Sequence, residues 1–234
     1  MAMIFHHLRI LALPDLGSLE AGLASIHASE DPLQVRIAIT HGFGYDGSHL
    51  EDKVLSGGAV VNGPVHRHVV EMDFTRIQAQ LDYRLTEPWG VTFRLPYDIK
   101  DRSASIEYVE DPTGFEQQMQ DFLDLHHTDA VLTGFSDASL LATWHAHDFA
   151  KEGDLFSLAL GTSIPIGRTE HDPYEAGSAA EAHEHVQFGT GTFDPLIEAY
   201  YTRSMEDWNL SVFAIARLPV YESSKDYRGS RTTT

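Results

Sequence analysis

A strict alternation of apolar and polar residues is the strongest pattern along the 234 residues of this chain. In residues 76–85 apolar side chains occupy every second position, and after a turn at residues 86–90 the alternation resumes over residues 91–99. Successive side chains of a β-strand point to opposite faces, so this pattern predicts a hairpin with one apolar and one polar face. Pro96 argues against the second strand, because proline has no N–H to donate to a ladder.

Two more hairpins follow the same rule. One covers residues 137–166 with a turn at residues 151–154, and the other covers residues 192–221 with a turn at residues 204–207. Small side chains alternate with large ones in the return strand of the first of these hairpins. The apolar positions keep period two throughout, which is typical of antiparallel strands with one polar face.

The chain before these hairpins predicts two strands, at residues 34–43 and 67–85, which brings the total to seven. The alternation in the second strand changes parity near Phe74 and Thr75, which predicts a β-bulge. One helix is predicted near residues 113–123, because Thr113 and Glu116 have the spacing of a capping box and apolar residues recur there at helical intervals.

Long polar segments separate the hairpins, at residues 44–64, 101–132 and 167–186, whereas the turns inside the hairpins are short. The strands run for about nine to thirteen residues, close to the roughly 9–11 that cross a bilayer, and aromatic residues gather near the short turns. The fold expected is an all-β, antiparallel up-and-down transmembrane β-barrel over residues 34–234. Whether the barrel is incomplete at its two ends is undecided at this point. Residues 1–33 receive no predicted structure, and a soluble β-sandwich or lipocalin-like barrel remains the alternative.

Composition narrows the choice of partners and location. The formal charge is −19, from 16 Lys and Arg against 35 Asp and Glu, and such a charge disfavours binding to nucleic acid. The absence of cysteine rules out disulfides and thiolate metal sites. Residues 1–14 contain no recognisable secretion signal, so the chain is either not exported or begins downstream of the true start.

Three stretches carry a family resemblance: residues 81–96 (LDYRLTEPWGVTFRLP), residues 132–141 (LTGFSDASLL) and residues 183–195 (HEHVQFGTGTFDP). They resemble the transporter-type outer-membrane barrels grouped with phenol-degradation (meta-pathway) proteins, and the likeness extends from about residue 34 onward in hairpin order. The resemblance implies an outer-membrane location, contact with lipid and passage of a small solute. It also implies an export signal and further carboxy-terminal strands, neither of which this sequence displays.

Charged residues on the polar face of the predicted strands are candidates to line a pore. Both signs are present, so we expect a cross-strand network that either selects solutes by charge or simply fills the interior. The predicted lining residues are Arg76, Asp82, Arg84, Arg94, Asp98, Asp194, Glu198 and Arg217.

Histidine is abundant, with fourteen copies, ten of them in doublets at 6/7, 66/68, 126/127, 145/147 and 183/185. Residues i and i+2 of a strand share a face, so a His-x-His pair can offer two imidazoles to Zn²⁺, Cu²⁺ or Ni²⁺. Weak metal binding is predicted first at His183 and His185, beside the carboxylates of residues 170–184, and second at His145 and His147. The alternative is that these are solvated histidines without a dedicated metal.

No enzyme signature is present: the chain lacks Gly-x-Ser-x-Gly and His-Glu-x-x-His, and the glycines at 189 and 191 lack the strand-to-helix context of a phosphate loop. The function expected is a non-enzymatic pore or transporter. A soluble periplasmic barrel that binds a transition metal or an apolar ligand is the first alternative, and a metal-dependent hydrolase is the second.

Overall fold

The computed structural model describes residues 31–169, 180, 185–205 and 208–220. Within them the chain forms one antiparallel sheet of eight strands and one α-helix. In chain order the elements are β1 (Leu33–Ser56), β2 (Ala59–Arg84), β3 (Trp89–Tyr108), α1 (Glu116–Asp124), β4 (Ala130–Phe135), β5 (Ala138–His147), β6 (Asp154–Ile164), β7 (Pro195–Ser204) and β8 (Asn209–Arg217).

Neighbouring strands along the chain are also neighbours in the sheet, in the order β1-β2-β3-β5-β6-β7-β8. β4 pairs with β3 as well, so β4 and β5 lie in line along the same partner and the described sheet has seven rows. The sheet curls into a half-barrel. The prediction of a mostly β, antiparallel, up-and-down arrangement is confirmed, and so are the short turns that follow β2 and β5. The predicted turn at residues 204–207 lies partly outside the described residues.

Pro96 lies inside β3 and does not end it, contrary to the weakness expected from the sequence. On one side Pro96 pairs with Gln78 of β2, and on the other side the partner row is interrupted between β4 and β5. There the Ser136 N–H donates to the Pro96 carbonyl at 3.0 Å. The missing proline donor therefore coincides with a break in the neighbouring row, and β3 itself remains continuous.

The prediction of a long loop over residues 44–64 is wrong. β1 continues to Ser56 and β2 begins at Ala59, so the connection is the two-residue turn Gly57-Gly58, with φ of 59° and 79°. Positive φ at both positions gives the type I′ hairpin that suits the right-handed twist of strands. A bulge between Gly42 and Tyr45 resets the parity of β1, which is why the alternation disappears from the sequence there.

The bulge predicted in β2 near Phe74 and Thr75 is also wrong. Residues 66–84 of β2 pair with β3 in one unbroken register, and the even-numbered side chains all face the same side. What changes at residue 74 is the content of that face, from Val70 and Met72 to amides and charges. A change of environment along one strand thus mimicked a change of parity.

The predicted helix exists as α1, but it begins later than expected and has no capping box. Phe115 is the N-cap residue and makes no side-chain cap, while the Glu116 carboxylate accepts from the Gly114 N–H at 2.9 Å. Met119, Phe122 and Leu123 are its buried residues, and the helix packs over the ends of β1, β2 and β3. Within the described residues, no helix has the length and apolar character needed to cross a membrane.

The two faces of the sheet differ in polarity. We call the end of the sheet at which β2 turns into β3 the lower end. Along the lower part of the sheet the concave face is mostly polar and buried, whereas the convex face is apolar, half-buried on β3 and exposed on the other rows. Convex apolar side chains with large exposure include Val35, Ile37, Ile39, Leu81, Leu140, Leu160, Ile197 and Val212. Buried polar side chains of the concave face include Gln78, Gln80, Asp82, Thr92, Arg94, Asp98, Thr143, Ser157 and Glu198.

We call the apolar part of the convex face the apolar band. The band ends abruptly at its upper limit. On β3 it covers residues 91–99, about 26 Å at roughly 3.3 Å per residue, and from Asp101 to Glu107 the convex side chains are polar. On β2 the same change falls at Thr75. The upper halves of β1, β2 and β3, together with α1, therefore lie beyond the band.

The turn at Gly57 provides a test of this hairpin. Gly57→Val should destabilise the β1–β2 hairpin by about 1–2 kcal/mol, because a β-branched residue is strained at positive φ, whereas Gly57→Asn should be tolerated. Hydrogen exchange at the Val54 and Val61 amides measures the effect. Equal protection in the two variants would contradict the turn geometry.

Candidate functional site

A buried ion pair crosses the concave face. Arg94 of β3 donates to Glu198 of β7 through both terminal nitrogens, at 2.6 and 3.0 Å, although β5 and β6 lie between these strands. Arg94 is 8% exposed and Glu198 is 3% exposed. The two side chains meet only because the sheet curls toward this face, and the bidentate geometry fixes both groups in orientation as well as in distance.

The pair is the centre of a longer chain of hydrogen bonds. Arg94 Nε donates to Gln80 at 3.1 Å, and the Tyr200 hydroxyl donates to Glu198 at 2.9 Å. Gln80 in turn donates to Asp82, which also forms an ion pair with Arg36 of β1. The network therefore reaches from β1 to β7 and compensates each buried charge with a partner of opposite sign.

A second group of charges lies farther along the same face, toward the upper end of the band. Arg76 donates to Asp98 at 2.7 and 2.9 Å, and the Ser136 hydroxyl donates to the same carboxylate at 2.5 Å. Arg217 donates to Asp194 at 2.7 Å and to Asp137 at 3.1 Å. Between these pairs lies a cavity of about 140 Å³, lined by Arg76, Gln78, Arg94, Pro96, Asp137, Ala138, Ser139, Ser163, Leu196, Glu198, Ile215 and Arg217.

Most of the predicted lining residues come together here. Arg76, Arg94, Glu198 and Arg217 line the cavity, Asp98 binds Arg76, and Asp194 contacts Arg217. Asp82 pairs with Arg36 outside the cavity and is connected to Arg94 through Gln80. Arg84 lies apart, half-buried at the short-turn end of β2. Sequence reasoning missed Arg36, Gln80 and Asp137, whose partners lie on other strands. Each charge of the cavity has a partner of opposite sign, and Arg217 is shared between Asp137 and Asp194, so the wall offers polar groups without a strong net field.

A cluster of histidines lies at the other end of the concave face, above the apolar band. His49 of β1 is paired directly across the ladder with His68 of β2, and His66 precedes on the same face. The backbone N–H groups of His126 and His127 donate to the Leu123 carbonyl at 3.1 and 2.8 Å, so the last turn of α1 holds both residues against the strands. His185 lies beside them, with ring centroids 5.4 and 5.1 Å away.

Four of these residues form a set of converging ring nitrogens: His49, His68, His126 and His127. Each offers one nitrogen, and the four nitrogens lie within 4.8 Å of one another. Three of the rings are buried and His49 is half-buried. The neighbouring ring centroids are 4.4 to 5.8 Å apart, which is contact distance for imidazoles.

The hydrogen bonds around His66 determine which nitrogens carry protons. His66 Nδ1 lies 2.9 Å from the Pro64 carbonyl, which only accepts, so Nδ1–H donates and Nε2 has the lone pair. His68 Nε2, at 3.1 Å, must then donate to His66 Nε2. This leaves the lone pair of His68 on Nδ1, which is buried and has no hydrogen-bond partner among the described residues. His127 Nε2 is buried and unpartnered in the same sense.

Burial favours the neutral form of three members of the cluster, His49, His68 and His127. It lowers the pKa of His68 to about 3, with further lowering by His49, His66 and His185, and it lowers the pKa of His127 even more. The pKa of His49 is lowered as well, by burial and by His66. Neutral imidazoles have free lone pairs at physiological pH, so protons do not compete with a cation for these nitrogens.

Within the described residues, the two histidine doublets predicted to bind metal, His183/His185 and His145/His147, do not form the sites expected from the sequence. His183 and its carboxylate neighbours at residues 170–179 and 181–184 lie outside the described residues, while His185 contacts the histidine cluster. His145 is buried on β5, with Nδ1 2.8 Å from the Ser157 hydroxyl, and His147 is exposed near the short turn. Neither joins a set of three or more converging ligands in the described part of the chain.

His49 carried no sequence signal, because it stands outside every doublet. The doublets 66/68 and 126/127 were visible, but only the register of β1 on β2 and the return of the chain after α1 bring them together.

Comparison with protein-family models, with curated proteins and with solved structures finds no match for this chain.

The buried pair of Arg94 and Glu198 leads to a prediction about stability. Glu198→Leu leaves the Arg94 charge buried without its main partner and should lower the free energy of unfolding by about 3–5 kcal/mol. The double variant Arg94→Met/Glu198→Leu removes both charges and should lose clearly less. Equilibrium unfolding in urea measures both. A double variant at least as unstable as the single one would show that the charge pair is not what Glu198 contributes.

Proposed function

We propose that this chain forms the wall of an outer-membrane β-barrel that passes a small polar solute and performs no catalysis. The observation that carries the proposal is the polarity of the half-barrel, with apolar side chains exposed on the convex face and charged side chains buried on the concave face. A sheet in water places its apolar face against a core, whereas a barrel in lipid places it outward.

The exposed apolar surface is too regular to be incidental. Within the apolar band, six of the seven rows, those of β1, β2, β5, β6, β7 and β8, each present an apolar side chain that is at least two-fifths exposed. These side chains are Ile37, Leu81, Leu140, Leu160, Ile197 and Val212. A continuous apolar patch of this kind marks contact with another apolar phase. Lipid suits it because the band runs around the outside of the curl and does not form a local groove, so we propose outer-membrane lipid as the partner of this face.

Strand lengths agree with a bilayer of ordinary thickness. β5, β6, β7 and β8 have 10, 11, 10 and 9 residues, which is the length that a tilted strand needs to cross the hydrocarbon core. β1, β2 and β3 are longer, but above the apolar band the convex side chains of β3 are polar, and those of β1 and β2 are mostly polar, with Leu50 and Val69 as exceptions. Their excess length would then project into water and not into lipid.

The concave face supports a small polar solute more than an apolar one. The cavity of about 140 Å³ is bordered by Arg76, Arg94, Asp137, Glu198 and Arg217, all of which form ion pairs. Paired charges leave hydrogen-bonding atoms at the wall but little net attraction for an ion. A soluble barrel that binds an apolar ligand would need an apolar interior. Among the described residues the concave side chains of the band are mostly polar, although Leu141, Phe213 and Ile215 are apolar. The resemblance to transporter-type outer-membrane barrels points in the same direction.

Lipid contact makes the convex face sensitive to charge. Leu160→Arg, near the middle of β6, should destabilise the protein folded in a bilayer by about 2–4 kcal/mol. Ser105→Arg lies on the convex face of β3 above the apolar band and should destabilise it by at most about 0.5 kcal/mol. Urea titration of folding into phospholipid vesicles measures both variants.

The two variants also separate the rival interpretation. In a soluble protein Leu160 is an exposed surface residue, so both substitutions would have similarly small effects and the protein would fold without vesicles or detergent. Either result would contradict the membrane proposal. Partitioning into detergent and heat-modifiable mobility on gels provide a second check with the unmodified protein.

Passage through the concave cavity can be tested by filling it. Ser139→Trp places a bulky ring in the lining of the cavity, and Ser105→Trp places the same ring outside it. In proteoliposome swelling with a small neutral sugar, Ser139→Trp should slow entry severalfold and Ser105→Trp should not. Equal rates for both variants and the unmodified protein would mean that the solute does not pass along this wall.

A further inference from the structure

We infer that His49, His68, His126 and His127 bind a single divalent transition-metal ion of the Zn²⁺, Ni²⁺ and Cu²⁺ class. This site goes beyond the proposed passage of solute, because it lies above the apolar band and uses none of the residues that line the cavity. It is also a different site from the doublets His183/His185 and His145/His147 that the sequence favours.

The number and arrangement of donors suit one ion. Tetrahedral Zn²⁺ with nitrogen ligands at about 2.0–2.1 Å requires nitrogens about 3.3 Å apart. The four ring nitrogens already lie within 4.8 Å of one another, so rotations of the side chains by small amounts bring them to an ion. The four ligands come from three separate parts of the chain, which the register of β1 on β2 and the end of α1 hold together.

The unpartnered nitrogens are an independent indication of a ligand. A buried polar atom without a partner destabilises a protein, and His68 Nδ1 and His127 Nε2 are two such atoms within one cluster. His68 is fully buried and His127 is 4% exposed, so bulk water does not satisfy them. A cation placed between the rings would satisfy the lone pair of His68 Nδ1, and His127 could offer Nε2 to the same ion as its other neutral tautomer allows.

The hydrogen bonds that hold the His68 ring have the form that usually supports a metal ligand. Ligating histidines usually donate their other N–H to a carbonyl or carboxylate, which fixes the ring and the tautomer. Here His68 donates to His66, and His66 donates to the Pro64 carbonyl, so a relay of two rings holds the His68 ring and leaves its lone pair on Nδ1. Because the nearest donors are neutral imidazoles and the chain has no cysteine, borderline divalent ions are favoured over soft ones.

Charge near the cluster also favours a cation. Glu51 is paired across the ladder with His66, and its carboxylate accepts from the Asp52 and Lys53 N–H groups at 2.9 and 3.1 Å. Four neutral ligands leave the charge of a divalent ion uncompensated, and Glu51 is positioned to offset part of it. The ion would connect β1, β2 and the segment after α1, which closes that segment over the concave face.

Calorimetric titration of the purified, detergent-folded protein with Zn²⁺ tests the site. We expect one saturable ion per chain, and His68→Gln or His127→Gln should weaken binding at least about 100-fold, since even second-shell changes typically weaken it 10–100-fold. His66→Ala, which breaks only the relay, should weaken binding about 10–100-fold. Co²⁺ should show the strong visible absorption of tetrahedral coordination.

The matched control is His145→Gln/His147→Gln, which removes two histidines at the opposite end of the sheet, one more than either single variant, and should bind Zn²⁺ as the unmodified protein does. Unchanged affinity in His68→Gln and His127→Gln, or equal loss in the control, would overturn the site, as would the absence of saturable binding. If His68→Gln does not fold, His126→Gln/His127→Gln decides the question, because these residues lie outside the strands.

Closure of the α1 segment gives a readout that does not depend on affinity. Cleavage after Glu116 by a glutamate-specific protease should slow severalfold when Zn²⁺ is added, and His127→Gln should abolish this effect. Cleavage after Glu152, in the exposed turn before β6, should be unaffected by the metal. Protection at Glu152 equal to that at Glu116 would indicate a general effect of zinc and would contradict the proposal.

Discussion

The ion pair between Arg94 and Glu198 is the constraint on which the shape of the sheet depends. In a flat sheet, β3 and β7 would be three strand spacings apart, about 14 Å, with their side chains parallel and out of contact. The two groups are buried, and a buried charge is stable only beside its partner. Curling the sheet brings them together, and the same curl turns every second side chain of each row inward and exposes the others.

This constraint acts only along the lower half of the sheet. There the concave face is occupied by paired charges, so no helix or loop is needed to cover it, and the convex face becomes the apolar band. In the upper half the strands of only three rows continue, and α1 covers them with Met119, Phe122 and Leu123. One strand, β2, belongs to both environments, which is why its inward face changes from amides and charges to apolar residues and histidines.

The sequence predicted the parts of the fold that local periodicity controls. The hairpins from β2 to β3, β5 to β6 and β7 to β8, their short turns and the helix were identified, because alternation and turn residues are local signals. The tight turn at Gly57 was missed, since the bulge at Gly42 and polar residues on both faces erase the alternation around it. Pairs such as Arg94 with Glu198, and the meeting of His49 with His126, depend on curl and chain return, which single-strand patterns do not encode. The individual doublets were visible, but their convergence was not.

The unequal lengths of the rows give the half-barrel a slanted rim. β1, β2 and β3 extend above the apolar band, whereas β5 to β8 end near its upper limit. We call this extension the hood, and it lies on one side of the groove that the concave face forms. The hood is rich in acid, with Asp46, Glu51, Asp52, Glu71, Asp73, Asp101, Glu107 and Glu110 against few basic residues. Such a surface concentrates cations and repels anions before either reaches the groove, and added salt weakens that bias. The composition of the solution at the rim would therefore differ from that of the bulk, and the approach to the groove would be selective even where its wall is electrically balanced.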